Sequence, residues 1–102
     1  MISMLADFRT NLAHLCEAHG VKRLVAFGSA VNGCFDPATS DFDFVVAFND
    51  TTSADYANRY LDLAEAMERL LGRKVDLVTE RSIRRPSFRR AIESEQEVIY
   101  ER

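Results

Sequence analysis

The sequence predicts an α/β fold, a small sheet of about four strands with helices packed on it. Three observations predict it. Helical and strand periodicities alternate along a short chain, which is the pattern of layered α/β domains. Glycines at positions 20 and 72 close the two longest helical stretches. Most short apolar runs between them alternate in the two-residue rhythm of a strand.

With 102 residues, one domain over 1–102 is expected, enough for one core and too short for a second. Its 47% hydrophobic and 28% charged content is ordinary for a soluble protein. The net charge of −3 argues against a general nucleic-acid binder, which is normally basic. No basic segment leads into an apolar core and cleavage site, and no apolar run approaches a membrane span. Cys16 and Cys34 lack metal-ligand spacing and read as free thiols. A cytoplasmic protein with no membrane contact is the expectation.

The elements follow in order. Ile2, Leu5, Phe8, Leu12, Leu15 and Cys16 recur at helical spacing, predicting an amphipathic helix over 2–19 that Gly20 ends. His14 and His19 have no base or metal partner in the pattern. His19, in the last turn, suits the helix dipole. Val21–Phe27 is the first strand. Gly28-Ser29 turns into a short helix over 29–33, and 34–40, with Asp36-Pro37, form a loop. The second strand spans 41–48, with Phe42, Phe44, Val46 and Phe48 toward the core, and Asn49-Asp50 is a turn. Ser53 is a suitable N-cap, and Asp55 sits where negative charge is favoured. Tyr56, Tyr60, Leu63, Met67, Leu70 and Leu71 form the apolar stripe of a long helix that packs on the sheet. Residues 74–78 make the third strand. Pro86 begins another helix, to which Phe88 and Ile92 give a small buried edge, and Glu97–Glu101 is the last strand.

The candidate chemistry lies in two places. Ser40-Asp41-Phe42-Asp43 opens the second strand, so Asp41 and Asp43 project from one face. Paired carboxylates repel and suit a hard cation such as Mg²⁺, which takes one or two of them plus phosphate oxygens and water. Gly28 allows close backbone approach to a ligand, and a helix starting at Ser29 would aim free N–H groups at phosphate. A phosphate cradle beside a carboxylate pair implies a metal–nucleotide site. Asp76, on the opposite face of its strand from Val75 and Leu77, is either a water-facing edge residue or a third carboxylate. Beside the Asp41/Asp43 pair the second reading is preferred, because a two-ion site needs more oxygens than two side chains provide.

Other motifs fail. Glycines 28 and 33 have Walker A spacing, but Cys34-Phe35 stand where Lys and Ser/Thr are required. The glycine spacing of a dinucleotide fingerprint is absent. Haloacid-dehalogenase phosphatases carry Asp-x-Asp at the end of a strand, not its start, and Asp-x-Asp glycosyltransferases need a larger domain.

Gly-Ser, a short spacer and Ser-Asp-x-Asp at the head of an apolar strand resemble the DNA polymerase β-type nucleotidyltransferase superfamily. The length points to its minimal (MNT) branch. The resemblance runs from about Val21 to the C-terminus and implies a sheet of mixed strand direction. It also implies a catalytic and metal-binding triad of Asp41, Asp43 and Asp76, with Asp76 as the acid on a later strand. Two Mg²⁺ ions, ATP as substrate, and terminal phosphates held by Ser29 and the backbone around Gly28 are implied too. Minimal members resemble Gly-Ser-x-Ala-Arg-Gly here, whereas this chain has Asn32 at the arginine. That departure bears on rate unless Arg84 or Arg85 reaches in. Those two belong to a cluster with Arg81, Arg89 and Arg90 that reads as a solvated face, a phosphate contact or a partner contact.

Minimal nucleotidyltransferases commonly act as antitoxins beside a helical HEPN-domain ribonuclease toxin. The resemblance therefore implies transfer of AMP from ATP to a toxin hydroxyl, a tyrosine in that pairing. Two alternatives are a degenerate antitoxin that neutralises its partner by binding alone, and transfer to a small hydroxyl compound such as an aminoglycoside. The latter usually needs a further domain.

Overall fold

A computed structural model describes residues 5–28, 31, 41–49 and 56–102. Ile2, the predicted helix over 29–33 apart from Val31, the loop over 34–40, Asp50, Ser53 and Asp55 lie outside the described residues, as do Ser29, Asn32, Cys34 and Ser40.

The sheet is mixed and four-stranded. Its strands are β1 (Val21–Phe27), β2 (Phe42–Phe48), β3 (Val75–Thr79) and β4 (Glu97–Glu101), in the order β3-β2-β1-β4. β1 is antiparallel to both β2 and β4, whereas β2 and β3 are parallel. A parallel pair needs a long crossover. Helix α2 (Tyr56–Leu71) lies between these two strands in sequence and packs on one face of the sheet beside α1 (Arg9–Ala18). Helix α3 (Pro86–Glu95) lies on the other face, where Ile92 meets Val25 and Val45.

The first predicted helix begins differently from expectation. Ala6–Phe8 form a 3-10 turn, closed by the Phe8 N–H donating to the Leu5 carbonyl at 3.0 Å, and the α-helix starts only at Arg9. Apolar spacing is insensitive to that difference, because a tight first turn keeps Leu5 and Leu12 on the buried side. His19 Nδ1 lies 2.8 Å from the Leu15 carbonyl, so its ring serves the helix end. Cys16 is free and buried, and burial, then Glu17, push its thiol up to about 12, which makes it inert at neutral pH.

The main core lies between the sheet and α1/α2. Leu24, Ala26, Phe42, Phe44, Val46, Phe48, Val75 and Leu77 meet Leu12, Cys16, Leu63, Met67 and Leu71 there. The second strand thus buries the four residues assigned to its core face. What the alternation alone did not expose is a second, smaller cluster on the opposite face, formed by Val25, Val45, Ile83 and Ile92. Phe88, expected in the buried edge of α3, is 42% exposed. It sits one turn before Ile92, where the helix passes beyond that small cluster. β3 begins one residue later than predicted, and Asp41 stands just ahead of β2. Among the described residues, no helix is long and apolar enough to cross a membrane.

Candidate active site

The end of β1 and the start of β2 lie side by side because the two strands run antiparallel. Phe27 is the register partner of Asp43. On the other side of β2, Asp43 is the register partner of Asp76 in the parallel pair. Neighbouring strands lie about 4.8 Å apart, so Asp76, Asp43 and Phe27 form a row across three strands on one face. Alternation puts that row opposite the main core: Phe42 and Phe44 point into the core, and Asp43 between them points out. The same parity exposes Asp76 between buried Val75 and Leu77.

The electrostatics of Asp43 record this convergence. Its carboxyl is pushed above the usual carboxylate range, first by partial burial, then by the charge of Asp76, then by that of Asp41. Both other acids are therefore close enough to be felt at Asp43. As they stand the three side chains do not form a closed cage: among the described residues, no three His, Cys, Asp or Glu groups could together hold a metal ion.

Gly28 completes the arrangement. Its φ is +80°, and a Cβ there would lie 2.6 Å from Asp43 Oδ2. Only glycine lets the backbone pass so near that carboxylate. The Val31 N–H donates to the Gly28 carbonyl at 3.0 Å. Hard oxygen donors, mutual repulsion at Asp43 and a space that a Cβ would fill suit a divalent cation carrying phosphate.

The remaining predicted residues divide. Ser29, the other half of the proposed phosphate cradle, is outside the described residues. Arg84 and Arg85 are exposed, just before α3, and neither pairs with a described acid. Others of the arginine cluster have structural partners. Arg89 donates to the Ile83 carbonyl at 3.2 Å and lies 4.0 Å from Glu80, and Arg81 stands 5.8 Å from the centre of the Tyr56 ring.

Two features beside these carboxylates lie outside the residues assigned to the site from the sequence. Tyr60, read as core, donates its hydroxyl to the Leu77 carbonyl, and burial, then the charge of Asp76, hold its phenol above the ordinary range. Beyond it a largely apolar groove of about 550 Å³ runs along the β3 edge, lined by Tyr56, Ala57, Tyr60, Leu61, Val78 and Thr79 among others. The sequence hints at it through Leu61, an apolar residue outside the stripe of that helix, which is 62% exposed.

The chain resembles known proteins over most of its length. The family profile described as nucleotidyltransferase domain matches residues 9–99. An inferred protein adenylyltransferase of Methanocaldococcus jannaschii is 36% identical over 86 residues, covering 84% of this chain and 82% of that protein. The structure of an inferred minimal nucleotidyltransferase superposes with a TM-score of 0.75 at 33% identity, covering 91% of this chain and 90% of that one. A complex of a tri-AMPylated Shewanella oneidensis HEPN toxin with an MNT antitoxin shares the fold, with a TM-score of 0.67 at 19% identity over 97% of this chain and 74% of that one.

Proposed function

The chain belongs to the nucleotidyltransferase domain family, and on that footing we propose that it is an antitoxin that transfers AMP from Mg-ATP to a tyrosine hydroxyl of a cognate HEPN ribonuclease toxin. The observation that carries the reading is the row of carboxylates: Asp43 in register with Asp76, close to Asp41, against a glycine whose missing Cβ leaves room beside them. The curated relative with a protein adenylyltransferase name supports the choice of a protein acceptor. The toxin–antitoxin neighbour, alike in fold, supports the HEPN partner.

In-line attack on the α-phosphorus is opposed mainly by charge: a negative attacker meets a negative phosphate, and pyrophosphate gathers charge as it leaves. Asp41, Asp43 and Asp76 would hold two Mg²⁺ ions, which when bound neutralise the attacking and leaving oxygens. Gly28 and Ser29 hold the terminal phosphates through backbone and hydroxyl donors. Asp76, on the edge strand, faces the acceptor and takes the proton of its hydroxyl. Arg84 and Arg85 supply positive charge that Asn32 does not, toward phosphate or toward the partner.

The test is the mass of a cognate HEPN toxin after incubation with the purified protein, ATP and Mg²⁺. A gain of one or more AMP units is expected, with loss of its ribonuclease activity. The D41N/D43N double variant should still bind the toxin yet leave its mass and its activity unchanged. An unmodified toxin with the unsubstituted protein, or neutralisation that survives the double change, overturns the proposal.

A further inference from the structure

Phe88 is out of place as a core residue. It lies one turn before buried Ile92 on the same side of α3, yet keeps 42% of its surface exposed. Its ring meets that of Phe27 edge to face, with centroids 6.3 Å apart and an interplanar angle of 81°. Phe27 in turn is the register partner of Asp43 and the residue before Gly28. The acid-bearing face therefore has a lateral order: Asp76 on edge strand β3, Asp43 on β2, then Phe27 on β1 with Phe88 against it.

We propose that Phe88, backed by Phe27, is the platform on which the nucleobase of the bound nucleotide stacks. The inference rests on the nucleotidyl-transfer reading and deepens it by naming the residue that holds the base. Two features select the base over the acceptor as the occupant. The aromatic pair flanks Asp43 on the β1 side, the side assigned to the nucleotide, so the base of a nucleotide whose α-phosphate lies at Asp43 comes within reach of it. Asp76, to which the acceptor is assigned, lies across Asp43 on the far flank, with the β3 groove beyond it. An exposed phenyl ring offers a planar apolar surface, and every base has a π face to lay on it. Phe27 contributes by limiting where the Phe88 ring can turn, since an edge-to-face pair has a preferred geometry.

The chain contains no tryptophan, so F88W introduces a single indole at the proposed platform. The experiment measures binding of a non-hydrolysable ATP analogue and of inorganic tripolyphosphate, each with Mg²⁺, to the full chain and to F88A and F88W. The analogue and tripolyphosphate share the phosphates and differ in the nucleoside. F88A should weaken the analogue about tenfold and leave tripolyphosphate unchanged. F88W should keep the analogue's affinity, and its fluorescence should be quenched by the analogue and not by tripolyphosphate. Equal analogue affinity in F88A, or equal loss of both ligands, overturns the platform. An unsubstituted chain that binds nucleotide but never modifies the HEPN protein removes the antitoxin reading and leaves the platform standing. A chain that binds no nucleotide removes both.

Discussion

The two faces of the sheet are made by the same strands and could hardly differ more. Toward α1 and α2, Phe42, Phe44, Val46, Val75 and Leu77 are buried among Leu12, Leu63 and Met67. Toward α3, the alternate residues give a small apolar patch at Val25, Val45, Ile83 and Ile92, and beyond it Phe27, Asp43 and Asp76. One face removes apolar surface from water and holds the chain together. The other gathers like charges that oppose folding. Strand parity alone separates the two tasks, and the acid-bearing face draws its order from the core behind it.

The largest effect is expected from neutralising the acid at the centre of the row. D43N should reduce AMP transfer by at least about a thousandfold, the several kcal/mol that a metal clamp supplies in the transition state. The same change should make the folded chain more stable at pH 7. Asp43 is held above the ordinary carboxylate range in the folded state. Its stability contribution is therefore fully present below the unfolded value of about 3.9 and is lost as pH rises through the folded one. The gain from D43N, read as Tm at several pH values without Mg²⁺, should shrink to nothing as pH falls below about 4. Added Mg²⁺ should raise the Tm of the unsubstituted chain more than that of D43N. A variant that loses stability at pH 7 would mean that Asp43 holds the fold rather than straining it.

On the opposite side of the same strand, F44A should cost about 3–5 kcal/mol in chemical denaturation, because Phe44 is fully buried at the centre of the sheet. Mg²⁺ should still raise its Tm while it remains folded. If F44A abolished that response without loss of stability, the two faces would not be separable.

The helix-covered face was legible in the sequence because burial there follows a period. Phe42 to Phe48 and the stripe from Tyr56 to Leu71 repeat at two and at 3.6 residues, and a pattern of that length survives small boundary errors such as the late start of β3. The second cluster was less visible. Val25 and Val45 face a helix whose only buried residue is Ile92, and a single apolar position has no periodicity to detect. At the site, the nearness of Asp41 to Asp43 could be read from their spacing. The approach of Asp76 needed strand order, which spacing does not contain: β3 had to lie beside β2, in parallel and in one particular register. Phe88 was misread for a related reason, since helical spacing says which side a residue is on but not where the neighbouring cluster ends.

The close approach at Gly28 gives a smaller, more local test. In G28A, a φ of +80° costs a residue with a Cβ about 1–2 kcal/mol, and the methyl would press on Asp43 Oδ2 at 2.6 Å. Displacing a catalytic group by about 1 Å can cost a hundredfold in rate, so AMP transfer should fall by about that much while the chain stays folded. The D43N/G28A pair should lose less than the sum of the two single changes, because both act on one carboxylate. Simple additivity would place the effect of Gly28 elsewhere.

The smallest effect is expected at the edge of the sheet. The Phe42 N–H donates to the Lys74 carbonyl, so alternate groups of β3 face β2 and the groups at Val75, Leu77 and Thr79 face outward. Each of these three residues gives one outward group to a side chain: Glu68 Oε2 accepts from the Val75 N–H at 3.0 Å, the Tyr60 hydroxyl donates to Leu77, and Ser82 Oγ donates to Thr79 at 2.8 Å. Side chains thus occupy groups that another strand would use, which blunts an edge otherwise open to pairing. Y60F removes one of these bonds at a cost of about 1 kcal/mol while keeping the ring in the core. Hydrogen exchange should quicken at the amides of β3 and not at those of β1, and transfer should fall only slightly, since Asp76 keeps its backbone bonds to β2. Equal quickening in both strands would show that Tyr60 supports the sheet as a whole rather than the edge that carries the third acid.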